Sequence, residues 1–195
     1  RSSAASDVYK RQVILSDAHI KNNAIYFIEN RKGRTIYVKN NFKKYEGINA
    51  YFVKDEDMFL NKLLERITND ECFFFGCDSK RTTQDYYNKC WELATEEQRS
   101  RFILIVKDTN FKLENATEQF KNKFVFYSPK MVYGVDFNNI DVAEDVFIYI
   151  KGHTISPSES FQQATRCRNI RNLCFYGVDK NSKVDFKALE EVEEH

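Results

Sequence analysis

The stretch CFFFGCDSK, residues 72–80, is an apolar run that ends in a carboxylate, a hydroxyl and a lysine. Successive apolar positions are typical of a strand that is buried on both faces of a sheet. Four similar runs follow it, and polar stretches separate them. Buried strands joined by helical connections form parallel sheets, so the sequence predicts an α/β domain with a mainly parallel sheet flanked by helices. The further runs are FILIV (102–106), FVFYS (124–128), DVFIYI (145–150) and LCFYGV (173–178).

The residues around these runs predict further elements. Apolar residues at helical spacing, behind an acidic start, predict a helix over residues 55–69. A second helix is expected from about Thr82 to Arg99. Nearer the N-terminus, three short β-branched or aromatic runs predict strands, the last two forming a hairpin around RKGR. These runs are VILS (13–16), AIYFIEN (24–30) and TIYVKN (35–40).

Composition limits the class of protein. The chain has 195 residues, 42% of them hydrophobic, and a formal net charge of +1, which suits a folded domain whose contacts with polyanions are local. The five cysteines form no C-x-x-C pair and only three histidines are present. We therefore expect no metal site and an intracellular, reducing compartment. No apolar run approaches the roughly 20 residues that span a bilayer, so we expect no membrane contact.

The stretch FQQATRCR, residues 161–168, follows a helix-start pattern and ends in two arginines. Serine, proline and glutamate at 156, 157 and 159 form a capping-box pattern, which predicts a helix from Pro157 to about Asn169. Gln162 and Arg166 would lie one turn apart on one face, whereas Arg168 would lie about 200° around the helix from Arg166. We therefore expect the two arginines to serve different contacts.

Polar residues follow three of the predicted strands. Asp78-Ser79-Lys80, PKMVYGVD (129–136) and KGHT (151–154) each come directly after one of them. Ligands of open parallel sheets bind beyond the carboxyl ends of the strands. Hydroxyls, backbone amides, lysines and arginines suit phosphate groups. We therefore expect Ser79, Gly134 and Arg166 to lie at the same edge of the sheet, where they would bind phosphates.

These loops resemble motifs IV, V and VI of the second RecA-like lobe of superfamily 2 helicases. FFFGCDSK (73–80) resembles motif IV. Ser128, Gly134 and Asp136 keep the offsets of motif V, and Gln162, Arg166 and Arg168 match motif VI. Within this superfamily the chain is similar to the herpesvirus-type replication-origin-binding helicases. SPKMVYGVDF (128–137) and QQATRCR (162–168) fit their motifs, and LSDA (15–18) resembles their motif III.

The resemblance implies a fragment of an ATP-dependent DNA helicase of the origin-binding type, acting in the nucleus or at a viral replication site. It assigns a catalytic role at the γ-phosphoryl group to Arg166, Arg168 and Gln162. Gly134, Asp136 and Asp17 would lie on the nucleotide side, with ATP and Mg²⁺ bound mainly by the first lobe. Four residues would hold the backbone of single-stranded DNA: Ser79, Lys80, Ser128 and Lys130.

The sequence departs from the family pattern in two respects. Thr165 stands where the family usually has glycine, and the chain contains no G-x-x-x-x-G-K-[ST] phosphate loop or acidic metal-binding box. The fragment is therefore expected to need a separate first lobe as its partner and to be inactive as an ATPase by itself. Residues 1–12 resemble a translated sequencing adapter, residues 13–54 would end the first lobe with a connecting hairpin, and residues 55–195 would form the second lobe.

Two alternatives stay open. One is a non-catalytic α/β nucleic-acid-binding or scaffold module whose basic loops hold a polyanion without motor activity. The other is a different parallel α/β enzyme, such as a nucleotide-dependent transferase. An upstream reading frame that encodes a phosphate loop would favour the helicase over both.

Overall fold

The computed structural model describes residues 22–30, 36, 38, 46–112, 114–129, 137–139, 141–152 and 155–178. The chain divides into one unit that ends at Lys44 and another that begins at Tyr45. Within the described residues, no helix is both long and apolar enough to cross a bilayer.

The described part of the first unit contains a helix, α1 (Asn22–Glu29). The prediction of a strand over 24–30 is therefore wrong. Ile25 and Ile28 are the half-buried residues of this stretch, and their spacing of three places them on one helical face, whereas strand alternation would separate them. Of the second predicted hairpin strand, Ile36 and Val38 are described; both are exposed and neither lies in a strand. The predicted strand 13–16 lies outside the described residues.

The second unit is built on a six-stranded sheet in the order β1-β6-β5-β2-β4-β3, in which every pair of neighbours is parallel. This α/β architecture confirms the predicted fold class and is consistent with a RecA-like domain. All five strands predicted after residue 70 are present. The strands are β1 (Asn49–Val53), β2 (Phe73–Cys77), β3 (Phe102–Ile105), β4 (Phe124–Tyr127), β5 (Glu144–Ile150) and β6 (Ile170–Gly177).

Helices cover both faces of the sheet. On one face, Phe59 and Leu63 of α2 (Glu56–Thr68) and Tyr86 of α3 (Lys80–Leu93) pack against Phe73 and Phe75 of β2. On the other face, a second apolar cluster joins the sheet to α5 (Ala116–Phe120) and α6 (Pro157–Ala164). Because side chains alternate along a strand, each buried strand contributes to both clusters. This requirement explains the unbroken apolar runs in the sequence.

Several boundaries differ from the predictions. The helix expected from Thr82 to Arg99 is interrupted, because Thr95 forms a capping box with Gln98 and starts a new helix, α4 (Glu96–Arg99). Strand β1 was not predicted; it lies at the sheet edge, and four of its five residues are exposed, so its sequence lacks the apolar signature. The predicted helix over 55–69 is confirmed as α2, with Asp55 as its N-cap.

A buried carboxylate orders the amino ends of β5 and β6. Asp145 is 1% exposed, and its Oδ1 accepts hydrogen bonds of 2.8 Å from Arg171 Nε and from Asn172 Nδ2. Its Oδ2 lies 2.8 Å from Arg66 Nε on α2, and Glu71 pairs with Arg66. A buried charge is tolerated only when it is paired and hydrogen-bonded, as Asp145 is. The network therefore serves structure, holding α2 against the ends where β5 and β6 begin.

Candidate functional site

Ser79 and Lys80 lie at the carboxyl end of β2, where the sequence places them. Ser79 is the N-cap of α3, and its Oγ accepts a 3.3 Å hydrogen bond from Thr82 N. Lys80 begins the helix and forms an ion pair with Asp108, which follows β3. The first turn of α3 contains no acidic residue but has Lys80 and the exposed Arg81. Cations are disfavoured at a helix N-terminus, and here Asp108, which pairs with Lys80, and the buried Asp78 before the cap offset part of the positive charge, whereas Arg81 is exposed to solvent.

Lys151, the first residue of the KGHT stretch, had no predicted role, yet it lies beside Ser79 and Lys80. These three residues are called the basic cluster below. Lys151 follows β5, which pairs with β2, and its backbone N–H donates a 2.8 Å hydrogen bond to Asp78 Oδ1. Its Nζ donates to Thr82 Oγ1 over 3.3 Å, and Thr82 Oγ1 lies 3.2 Å from Ser79 Oγ. The buried Asp78 thus holds the loop after β5 against the start of α3. The sequence contained one indication that Lys151 lies at this edge: it is the first residue after a predicted strand.

Ser128 lies at the same edge, one residue beyond Tyr127, which pairs with Gly76 of β2. Its backbone N–H donates a 3.0 Å hydrogen bond to Ile105 O, and the residue is buried. The register therefore places Ser128 beside the carboxyl end of β2 that carries Ser79 and Lys80. The other predicted contacts of this group, Lys130, Gly134 and Asp136, lie outside the described residues, as does Asp17.

The stretch Arg166–Cys167–Arg168, called the arginine segment below, does not belong to a helix. Helix α6 begins with the predicted capping box at Ser156 but ends at Ala164, so the expected extension to Asn169 is wrong. Phe137 N donates to Arg166 O over 2.9 Å, and Arg168 N donates to Phe137 O over 2.7 Å. These bonds form a parallel bridge between Phe137 and Cys167. Because the bridge uses the backbone groups that a helix would need, the helix ends before it.

Neither arginine lies in a helix. Cys167 is buried in the core, whereas Arg166 and Arg168 on either side of it are half-buried. Arg166 lies in a turn and Arg168 in a bend, with the bridge residue between them. The expected separation of about 200°, which assumed an α-helix, therefore does not apply. Burial raises the pKa of the Cys167 thiol to about 12, so it is a neutral core group at physiological pH.

Arg166 was expected at the same edge of the sheet as Ser79, and this prediction is wrong. The arginine segment leads directly into β6, and Asn169 O accepts a 2.9 Å hydrogen bond from the N–H of Glu144, the first residue of β5. The arginines therefore lie where these two strands begin. Gln162 precedes them on α6, where it is half-buried and its backbone carbonyl accepts a 3.0 Å hydrogen bond from Thr165 Oγ1.

Tyr127 and Phe137 each contact a residue of predicted motif VI (162–168). The Tyr127 hydroxyl donates to Gln163 O over 3.2 Å, and Phe137 forms the bridge to Cys167. Tyr127 directly precedes Ser128, where predicted motif V begins, and Phe137 is the last residue of that motif. The structure thus brings both ends of this stretch against the residues of predicted motif VI. The space for the Tyr127 ring is provided by Gly76, where a Cβ would lie 2.8 Å from Tyr127 Cε2.

No protein-family model matches the chain, and a search of curated proteins finds no match for it. The fold and the contacts define its class: an α/β protein with a six-stranded parallel sheet, a basic cluster at one edge and an arginine segment where β5 and β6 begin.

Proposed function

We propose that the chain is the second RecA-like lobe of a superfamily 2 DNA helicase of the replication-origin-binding type. One observation carries the proposal: Tyr127, directly before predicted motif V, contacts Gln163 of predicted motif VI, and Phe137, the last residue of predicted motif V, contacts Arg166 and Arg168 of motif VI. A motor lobe needs such a connection, because strand binding and phosphate chemistry must respond to each other. A simple binding module has no such requirement.

The basic cluster at the carboxyl edge supports a role in holding a nucleic-acid strand. Ser79, Lys80 and Lys151 are brought together there from loops that are remote in sequence. Hydroxyls and lysines bind phosphate oxygens without reading bases, which suits a protein that moves along a strand. We extend the predicted set of backbone contacts by adding Lys151.

The arginine segment would act on the nucleotide from the other lobe. ATP hydrolysis spreads negative charge over the γ-phosphoryl oxygens, and an arginine supplied across a cleft accelerates it by about 10³ to 10⁵. We assign this role to Arg166 and Arg168, as the resemblance to motif VI implies. The described residues contain no group of acidic, histidine or cysteine side chains arranged to hold a metal ion, so Mg²⁺ and most of the ATP would be held by the first lobe.

The first experiment measures DNA binding by residues 13–195 of this chain. We expect weak binding of a fluorescein-labelled oligo(dT) in an anisotropy titration, with a logarithmic salt slope of about −0.7 for each phosphate contacted. Lys80→Ala and Lys151→Ala should each reduce the magnitude of the slope by about 0.7, because each removes one contact. Lys62→Ala is the matched control, since Lys62 is an exposed lysine on α2, away from this cluster.

A second experiment separates the helicase from a binding module. The upstream coding sequence should encode a phosphate loop and an acidic box, and the joined polypeptide should hydrolyse ATP in response to single-stranded DNA. If the oligonucleotide binds but the joined polypeptide has no DNA-stimulated hydrolysis, the chain is a non-catalytic nucleic-acid-binding module. If neither binding nor hydrolysis is observed, both assignments are wrong.

A further inference from the structure

Strand β1 (Asn49–Val53) forms one edge of the sheet, and among the described strands only β6 pairs with it. The outer side of an edge strand presents backbone N–H and C=O groups that can pair with a further strand. Proteins protect such edges with charged side chains, proline or a bulge. The sequence NAYFV has no charge and no proline, and its register with β6 runs without a shift. None of these protections is therefore present in β1.

The exposed side chains of β1 include two large aromatic rings. Phe52 is 64% exposed and Tyr51 is 50% exposed, and they project from opposite faces of the sheet because side chains alternate along a strand. Phe52 shares its face with Phe175, its register partner on β6. Phe175 in turn stacks on Phe161 of α6, which is also exposed. An apolar surface thus continues from the edge strand onto β6 and α6.

The opposite edge of the sheet is covered. Strand β3 has no exposed residue, and the ring of Phe102 packs edge-on against Tyr87 and Trp91 of α3. The exposure of β1 is therefore not a general consequence of an edge position in this sheet.

A second copy of the chain fits the β1 edge through two-fold symmetry. When a two-fold axis perpendicular to the sheet relates two antiparallel edge strands, the same face of both sheets lies on the same side. Opposed residues then project to the same face, so their numbers are both even or both odd. With the axis at Ala50, Phe52 of one copy lies opposite Ile48 of the other, and both side chains are apolar.

The charges beyond the two ends of β1 favour this axis. Lys54, exposed directly after the strand, comes to the end of the pairing where the exposed Glu46 of the other copy lies, and symmetry repeats this pair at the other end. An axis at Tyr51 would instead place Lys54 opposite the apolar Ile48. Opposite charges across paired strands are stabilising. The charge pattern of this segment is therefore complementary to itself, which favours a second copy over an unrelated strand.

We propose that β1 is a dimerisation edge, at which two copies of this chain pair antiparallel about Ala50 and join their sheets into one continuous sheet. The pairing satisfies the outer backbone groups of β1 and covers Phe52. The inference uses the fold and the exposed surface alone, so it is independent of the proposed function.

Sedimentation equilibrium of the full 195-residue chain tests the proposal. The wild-type protein should show a reversible monomer–dimer equilibrium. Phe52→Lys should raise the Kd of the dimer by at least about tenfold, because two symmetry-related contacts are lost at once and an edge lysine disfavours strand pairing. Leu93→Lys is the matched control, since Leu93 is an exposed apolar residue on α3, and it should leave the Kd unchanged.

Cysteine cross-linking tests the register. Under mild oxidation with oxidised glutathione, Ala50→Cys should form a disulfide-linked dimer, because the two thiols meet at the axis. Lys54→Cys should not, since the two copies of residue 54 lie at opposite ends of the pairing. The wild-type chain is the blank, because its native cysteines are buried or half-buried.

Three results would overturn the proposal: a wild-type chain that stays monomeric or forms oligomers larger than a dimer, a Phe52→Lys variant that associates as tightly as the wild type, or equal cross-linking of Ala50→Cys and Lys54→Cys. If Phe52→Lys fails to fold, the cross-linking comparison decides, since Ala50 and Lys54 are exposed and their replacement leaves the core intact.

Discussion

Gly76 occupies a position of the sheet with no room for a side chain. A Cβ added there would lie 2.8 Å from Tyr127 Cε2, 2.9 Å from Ile148 Cδ1 and 2.9 Å from Tyr127 Cζ. Tyr127 and Ile148 are the partners of Gly76 on the two neighbouring strands, so the methyl group of Gly76→Ala would point directly between their side chains. One of the two neighbours must move.

The cost of Gly76→Ala follows from these distances. Overpacking of a filled core costs about 1–3 kcal/mol. Displacing the Tyr127 ring also breaks the hydrogen bond from its hydroxyl to Gln163 O, which is worth about 1 kcal/mol. Alanine restricts the unfolded chain more than glycine does, which stabilises the folded state by about 0.4–1 kcal/mol. We therefore expect a net destabilisation of about 2 kcal/mol, which lowers the Tm by roughly 4–8 °C in a chain of this size.

The assay is urea denaturation of the wild-type protein and two glycine variants. The matched control is Gly177→Ala, because a Cβ at Gly177 would lie 3.6 Å from Phe52 Cε2, an ordinary van der Waals distance. We expect this control to be neutral or slightly stabilising, since it restricts the unfolded chain without a clash. Tyr127→Phe combined with Gly76→Ala should cost less than the sum of the two single changes, because both disturb the same hydrogen bond.

Equal stability of Gly76→Ala and Gly177→Ala would refute this reasoning. It would mean that the Tyr127 ring can move without a loss of free energy, so the hydrogen bond from Tyr127 to Gln163 would not contribute to stability. Strict additivity of Gly76→Ala and Tyr127→Phe would lead to the same conclusion.

Three further outcomes are expected. Asp145→Ala should destabilise the fold by about 3 kcal/mol in urea denaturation, because it leaves Arg66 and Arg171 without their buried partner. The control is Asp141→Ala, which removes only an exposed 3.8 Å pair with Lys121 and should change the free energy of unfolding by less than about 1 kcal/mol. In a polypeptide that includes the first lobe, Arg166→Ala should lower kcat for ATP by at least about 10² with DNA affinity nearly unchanged, and Arg166→Lys should restore little of it. Lys62→Ala is the control there, because Lys62 is an exposed lysine on α2. Residues 13–195 alone should show no ATP hydrolysis above background in a phosphate-release assay, and steady turnover would contradict the assigned nucleotide site.

Part of the candidate site follows from local sequence rules. Ser79 is a helix cap directly after an apolar run, and Ser156 with Glu159 forms a capping box, so both helix starts were predictable. The position of Lys80 after β2 follows from the same pattern. The role of Lys151 does not, because it depends on Asp78, which is 73 positions earlier in the chain.

The sequence by itself determined the class of fold. Runs such as FVFYS are apolar on both faces, and only a sheet covered on both sides buries them, so the parallel architecture follows from the hydrophobic effect. The tertiary structure alone decided where α6 ends and that Arg166 and Arg168 lie outside it. Local signals favour a longer helix. Instead, the backbone N–H of Phe137 donates to the carbonyl of Arg166, and the N–H of Arg168 donates to the carbonyl of Phe137. A hydrogen bond formed across about 30 residues leaves no trace in the local pattern, and here such bonds replace the helical bonds that a longer α6 would have formed.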